Sequence, residues 1–271
     1  MAMEFLKRLV VASGAKVRLA DIDPRETFGL ADKQGAEALR AANVAKLADL
    51  SDLLWADGRY SLLIVLQGMD TSGKDGTIRR VMSGINPRDC HVVSFKRPTD
   101  DELGHDFLWR VHKECPRRGV VGVFNRSHYE DVLTVRVHEL VPKNVWQGRY
   151  DQINAFEKIL VENGTRVLKF FLHISKDEQK KRLEERIKDP TKNWKMELGD
   201  LDERKRWDGY QRAYEDAISN CSTAAAPWIV VPADRKWFRD VAVSSIVVET
   251  LEGMGLTYPT PKFDPSKVKF E

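Results

Sequence analysis

From Ser61 onward the chain alternates between two hydrophobic periods. Short apolar runs rich in β-branched residues, at Ser61–Leu66, His91–Phe95, Gly119–Phe124, Thr165–Ile174 and Trp228–Val231, read as strands. Between them apolar positions recur at helical spacing, over Asp75–Met82, Asp101–Glu114, Ser127–Val137, Lys143–Glu162 and Leu201–Ser219, with a last helix over Arg235–Glu252. The strands are apolar along their length instead of alternating, as strands buried on both faces are, and strands that alternate with helices build a parallel sheet. The pattern predicts a three-layer α/β/α sandwich. Upstream, Leu39, Ala42, Leu47, Leu50 and Leu54 predict a helix over Asp32–Trp55. Residues 1–30, with Asp23-Pro24 as a turn signal, are expected to be irregular. There is no repeat, low-complexity tract or Gly/Ser linker. The expected organisation is one domain over 1–271, with a helical extension at about 1–58 and a lid at about 176–206.

Composition narrows the class. The longest strongly apolar block, Leu62–Leu66, is far short of the roughly 20 residues that span a bilayer. Leu9–Ala12 is too short for a signal-peptide core. Cys90, Cys115 and Cys221 form no CxxC pair and no disulfide framework. The expectation is a cytoplasmic protein that binds no membrane. The 44 Lys+Arg against 41 Asp+Glu leave a net charge of +3, which by itself says little about a polyanionic partner. Its location says more: Lys176–Met196 alone carries a net +3, so the rest of the chain sums to zero. A charge excess confined to one segment produces a local field suited to steering an anion into one cleft.

Directly after the first strand stands Gly68-Met69-Asp70-Thr71-Ser72-Gly73-Lys74-Asp75, a G-x-x-x-x-G-K loop between a strand and a helix. Its glycines let the backbone turn N–H groups toward a phosphate, the following helix adds its N-terminal dipole, and Lys74 adds a point charge. Gly68, Thr71, Ser72 and Gly73 are thus candidate phosphate-binding positions. Asp75 stands where a Mg²⁺-binding Ser or Thr is usual. Asp70, an acid inside an anion-binding loop, would hold Mg²⁺ or accept a proton from the attacking phosphate; the plainer alternative is a cap on its own loop.

The third strand is followed by Asn125-Arg126-Ser127-His128-Tyr129-Glu130-Asp131. Ligands of open α/β sheets bind beyond the carboxyl ends of strands. Asn125 occupies the place of a Walker-B aspartate but offers only a neutral carbonyl, so metal-binding charge would come from Asp70, Glu130 or Asp131. Arg126 suits bidentate phosphate contact. Ser127 and Glu130 also have the spacing of a capping box, and His128 is given no role. Lys96 and Arg97 put two cations at the end of the second strand. In the basic segment, Arg182 and Arg186 share a helix face, in a helix–turn–helix that would swing arginines over the phosphates; a solvated surface helix laced with ion pairs fits the spacing as well. Trp194 would stack on a base or anchor the turn.

Taken together, Gly68–Gly76, Ser94–Thr99, Phe124–Val132, Arg182–Arg186 and Ala233–Trp237 resemble the family-2 polyphosphate kinases over roughly residues 28–258. The resemblance implies a P-loop kinase of the thymidylate-kinase-like fold with a helical lid. It also implies reversible Mg²⁺-dependent transfer of a terminal phosphate between polyphosphate and nucleotides, Mn²⁺ being a second choice of metal. By position, Asp70 and Lys74 match the family's loop residues, Arg126 its phosphate-binding arginine, and Arg182 and Arg186 its lid cations. Many members carry Asp at position 125; the version with Asn125 and Glu130 resembles the subgroup that phosphorylates both AMP and ADP. The expected partners are inorganic polyphosphate and adenine nucleotides, with guanine nucleotides as a further option. No nucleic acid is expected, and a homo-oligomer is. The competing readings are an ATP-dependent nucleotide kinase on the same fold and a non-catalytic nucleotide or polyphosphate sensor.

Overall fold

The computed structural model describes residues 5–196, 199–264 and 267–268. Its five strands are β1 (Ser61–Gln67), β2 (Cys90–Ser94), β3 (Val121–Asn125), β4 (Thr165–His173) and β5 (Trp228–Pro232), all parallel in the order β2-β3-β1-β4-β5. The helices are α1 (Phe5–Leu9), α2 (Lys33–Asp57), α3 (Lys74–Val81), α4 (Asp100–Leu103), α5 (Trp109–His112), α6 (Thr134–Val137), α7 (Lys143–Glu162), α8 (Lys176–Lys188), α9 (Gly199–Lys205), α10 (Trp207–Cys221) and α11 (Lys236–Glu252). Parallel crossovers are right-handed, so connections running in opposite directions along the sheet cover opposite faces. Accordingly α2, α3 and α11 pack together on one face, and α6, α7 and α10 on the other. The three-layer expectation holds.

β1 is buried at every position and lies between β3 and β4. Leu66 is level with Asn125, and Asn125 with Ser94, so three strands deliver their following loops to one edge. The outermost strand on the other side, β5, has its free edge covered by the N-terminal segment: Val10 bridges Ile229 antiparallel and the Val11 N–H donates to Trp228 O at 2.8 Å. Residues 5–22 are therefore docked, not merely irregular, with Phe5, Leu9 and Leu19 buried and the Leu19 N–H donating to Glu215 at 2.8 Å.

Three expected helices are divided. Asp101–Glu114 becomes α4 and α5. Thr99 and Glu102 form a reciprocal capping box at the start, and Asp106 accepts from the Leu108 N–H to restart the chain. Ser127–Val137 becomes a 3₁₀ turn, His128–Asp131, followed by α6. The expected capping box is absent there, because Ser127 accepts from the Tyr129 N–H while Glu130 accepts from Thr134 at 2.6 Å. The helix expected over Leu201–Ser219 breaks at Arg206 into α9 and α10. In α2 the inward face is Ala36, Asn43, Leu47, Ser51 and Leu54, with Asn43 donating to Ser244 and Ser245 of α11. Its polar members displace the purely apolar stripe that periodicity suggests.

Candidate functional site

A cleft of ≈ 690 Å³ opens where the loops after β1, β2 and β3 meet. Asp70, Thr71, Gly73, Lys74, Asp75, Lys96, Asn125, Arg126, Arg182 and Arg186 all line it. Gly68 and Ser72 are buried beneath that lining. Arg97 is exposed beside Lys96 and does not line the cleft. The structure adds Glu185, Lys192, Trp194 and Lys236. Sequence reasoning gave no role to Glu185 or Lys236. Lys236 opens α11 directly after the β5 end, and that position is the signal that could have identified it.

The loop backbone explains its glycines. At Gly68, φ is +151° and a Cβ would stand 2.8 Å from Leu172 O; at Gly73, φ is +105°. Thr71 (φ +64°) and Arg126 (φ +62°) are non-glycine residues held left-handed, and both face the cleft. Such strain costs about 1–3 kcal/mol per residue and persists only where the surroundings enforce it. Lys74 donates to Gly68 O at 2.8 Å and Met69 O at 3.3 Å, which curls its ammonium back over the loop. Burial, with help from the nearby Arg126 cation, lowers its pKa to about 8. Thr71 Oγ1, Ser72 Oγ and Thr77 Oγ1 are buried with no hydrogen-bond partner. Of these residues Thr71 lines the cleft, while Ser72 and Thr77 are fully buried and do not.

Two polar pairs cross the cleft. Arg126 donates to Asp70 at 2.7 Å and stands 3.5 Å from Glu130; these carboxylates, Glu130 foremost, raise its pKa and keep it charged. Asn125 donates to Asp75 at 2.6 Å. In the second pair both departures from the usual motif meet. Where the motif would carry a hydroxyl and β3 an aspartate, this chain has the Asp75 carboxylate in the first turn of α3 and an amide on β3, whose Nδ2 makes the contact. One anionic and one neutral oxygen donor are retained, with positions exchanged. Among the described residues no group of three or more His, Cys, Asp or Glu side chains could enclose a metal. Mg²⁺ is commonly held by one or two carboxylates plus substrate phosphates and water, and the Asp70, Asp75 and Asn125 donor set fits that habit. Asp131 is turned away: Arg149 donates to both its backbone carbonyl and its carboxylate, and burial raises its pKa to about 6.

The basic segment is more firmly anchored than its charge pattern indicates. Arg182 is buried, and its guanidinium donates to four backbone carbonyls: Thr71 and Ser72 in the loop, Ala233 and Asp234 after β5. Gln179, one turn earlier, donates to Asp70 O. The base of α8 is thus part of the loop's support. Arg186, bound to Asp200 at 3.4 Å, and Lys192 are the cations of this segment left to face the cleft. Met196 closes the described part of the expected lid's first half; residues 197–198 lie outside the described residues. His128 is buried away from the cleft, against Glu157 at 3.3 Å.

The comparisons with known proteins agree with this geometry. A family model described as Polyphosphate kinase 2 (PPK2) matches residues 30–258. The chain is 51% identical, over 98% of its length and all of the relative's, to an AMP/ADP-polyphosphate phosphotransferase of Meiothermus ruber. It is 46% identical to an ADP-polyphosphate phosphotransferase of Rhodopseudomonas palustris, over 93% of this chain and 92% of the other. A crystal structure of Polyphosphate Kinase 2 from Arthrobacter aurescens TC1 superposes with a TM-score of 0.94 at 45% identity, covering 98% of this chain and 95% of that one. A G-x-x-x-x-G-K loop at the carboxyl end of the central strand of a five-stranded parallel sheet therefore sits in a chain that belongs to the polyphosphate kinase 2 family.

Proposed function

We propose that the protein is a phosphotransferase that moves the terminal phosphate of inorganic polyphosphate onto AMP and ADP. The carrying observation is the cleft itself: a G-x-x-x-x-G-K loop ringed by Lys74, Lys96, Arg126, Arg186, Lys192 and Lys236. That cation count suits two polyanions brought together. Family membership favours this reading over an ATP-dependent nucleotide kinase or a sensor.

Phosphoryl transfer needs alignment and charge neutralisation far more than covalent catalysis. The loop N–H groups and Lys74 hold one phosphate cluster at the mouth of α3. Arg126, on its strained turn, reaches from β3 across the line of transfer, and its planar fork suits the moving phosphoryl group. Substrate phosphates draw Arg126 from Asp70, freeing that carboxylate to accept a proton from the attacking phosphate. Lys96, Arg186, Lys192 and Lys236 line the remaining path, where the rest of the donor chain lies. Asp75 and the Asn125 carbonyl, with Asp70 as an alternative to its role as base, would hold Mg²⁺, or Mn²⁺, which when bound neutralises charge on the phosphate oxygens. The chain is read as one domain over 1–271 with a lid at about 176–206.

The test is direct. Purified protein is incubated with Mg²⁺, polyphosphate and AMP, ADP or GDP, and the products are resolved. ADP from AMP and ATP from ADP are expected; no phosphorylated product from any acceptor overturns the proposal.

A further inference from the structure

Arg239, on α11, is 2% exposed and lies directly behind the phosphate loop. Its Nη1 donates to Ser72 O at 3.2 Å, the same carbonyl that Arg182 Nη1 approaches at 3.2 Å from α8. A Cβ on Gly73 would stand 1.7 Å from Arg239 Nη1, and one on Gly76 3.3 Å from Nη2. The guanidinium is itself fixed by Asp240 Oδ1, at 2.9 Å to Nε and 2.6 Å to Nη2. Asp240 Oδ2 in turn takes Arg80 of α3 at 3.4 Å. The last helix and the base of the lid helix therefore converge on the Ser72 carbonyl, and the helix that follows the loop is tied to the same guanidinium through Asp240.

We infer that Arg239 is a positioning residue for phosphate binding, acting with Arg182 through the Ser72 carbonyl. The Ser72–Gly73 peptide is trans, so its C=O and N–H point in opposite directions. Two guanidiniums drawing the carbonyl backward turn the Gly73 N–H away from them, toward the cleft that Gly73 lines. The Ser72 N–H is not available for this, since it is bonded to Met69 O. Without the grip the peptide can flip, presenting a carbonyl dipole to a phosphate in place of a donor. The absence of a Gly73 side chain is what lets the guanidinium approach this closely.

The inference rests on the phosphate-transfer reading, but its test does not require turnover. Binding of inorganic tripolyphosphate to wild type, Arg239→Ala, Arg239→Lys and Arg182→Met is measured by calorimetry well below each melting temperature. The expected result is a Kd raised at least about tenfold in every folded variant, the loss of one charge-assisted hydrogen bond. Lysine is expected to fail as well, since it cannot hold Asp240 and Ser72 in one plane. Millimolar guanidinium chloride is expected to restore binding to Arg239→Ala, where sodium chloride of equal ionic strength does not. If Arg239→Ala does not fold, Arg239→Lys carries the same expectation. A folded Arg239 variant that melts earlier yet binds tripolyphosphate within twofold of wild type overturns the inference and makes the residue a helix staple. A wild type that binds tripolyphosphate but transfers nothing overturns the function, while a raised Kd in the variants still supports the grip.

Discussion

Asp70 and Arg126 pair at 2.7 Å, and in the proposed mechanism substrate phosphates separate them. Asp70→Asn keeps a hydrogen-bond acceptor for Arg126 but removes the base and the metal-binding charge. Its kcat should fall by about 10²–10⁴-fold, the usual worth of a positioned general base, with an unchanged melting curve; near-wild-type turnover removes Asp70 from the chemistry. Lys74 gives a pH signature. Burial lowers its pKa from 10.5 to about 8, so below that value the free loop carries the cation, and as pH rises through it the cation is lost. Affinity for polyphosphate should therefore decline above about pH 8, read as kcat/KM against pH, and Lys74→Arg should extend the plateau upward.

Elements transmit these requirements. α7, β4 and α10 are joined by a buried group: Lys169 donates to Glu157 and Tyr129 at 2.5 and 2.9 Å and to Cys221 O at 2.6 Å, while Glu157 also holds His128. The 3₁₀ turn that follows Arg126 is anchored through this group. Removing one partner leaves an uncompensated buried charge, so Lys169→Met should destabilise the fold by about 3–5 kcal/mol in urea titrations. The double change Lys169→Met with Glu157→Gln should cost less than that single one. Periodicity located α7 and β4 but could not show that a lysine sits inside a strand buried at eight of nine positions. A charge in an apolar run is interpretable only once its partner, twelve residues away, is folded against it.

For the whole molecule, the near-neutral total charge conceals an asymmetric one. Cations from the β1, β2 and β3 ends, the lid segment and α11 gather on one cleft. Screening lengths fall from about 10 Å at 0.1 M salt to about 3 Å at 1 M. KM for long polyphosphate should accordingly rise steeply with ionic strength, while kcat, set inside the cleft, changes far less; parallel changes in both speak against steering. No helix among the described residues is long and apolar enough to cross a membrane.

The amino-acid sequence determined the strands, the α/β class and the phosphate loop. Each is encoded by consecutive residues: the apolar runs are strands, buried along β1, β3, β4 and β5 though largely exposed along the edge strand β2, and Gly68 through Lys74 curl by their own backbone freedom. It also placed Asn125 and Arg126 at a strand end, because strand ends follow from where the apolar runs stop. Tertiary structure alone decided who faces whom. It set Asn125 against Asp75, fifty residues apart, so that the two motif departures meet. It also withdrew Arg182 from solvent into the loop's support, turned Asp131 toward Arg149, and brought Arg239 and Lys236 to the site from the end of the chain. Hydrophobic periodicity reports only inside and outside. The partner of a buried charge is chosen by strand order and helix packing, which bring together residues that the sequence keeps far apart.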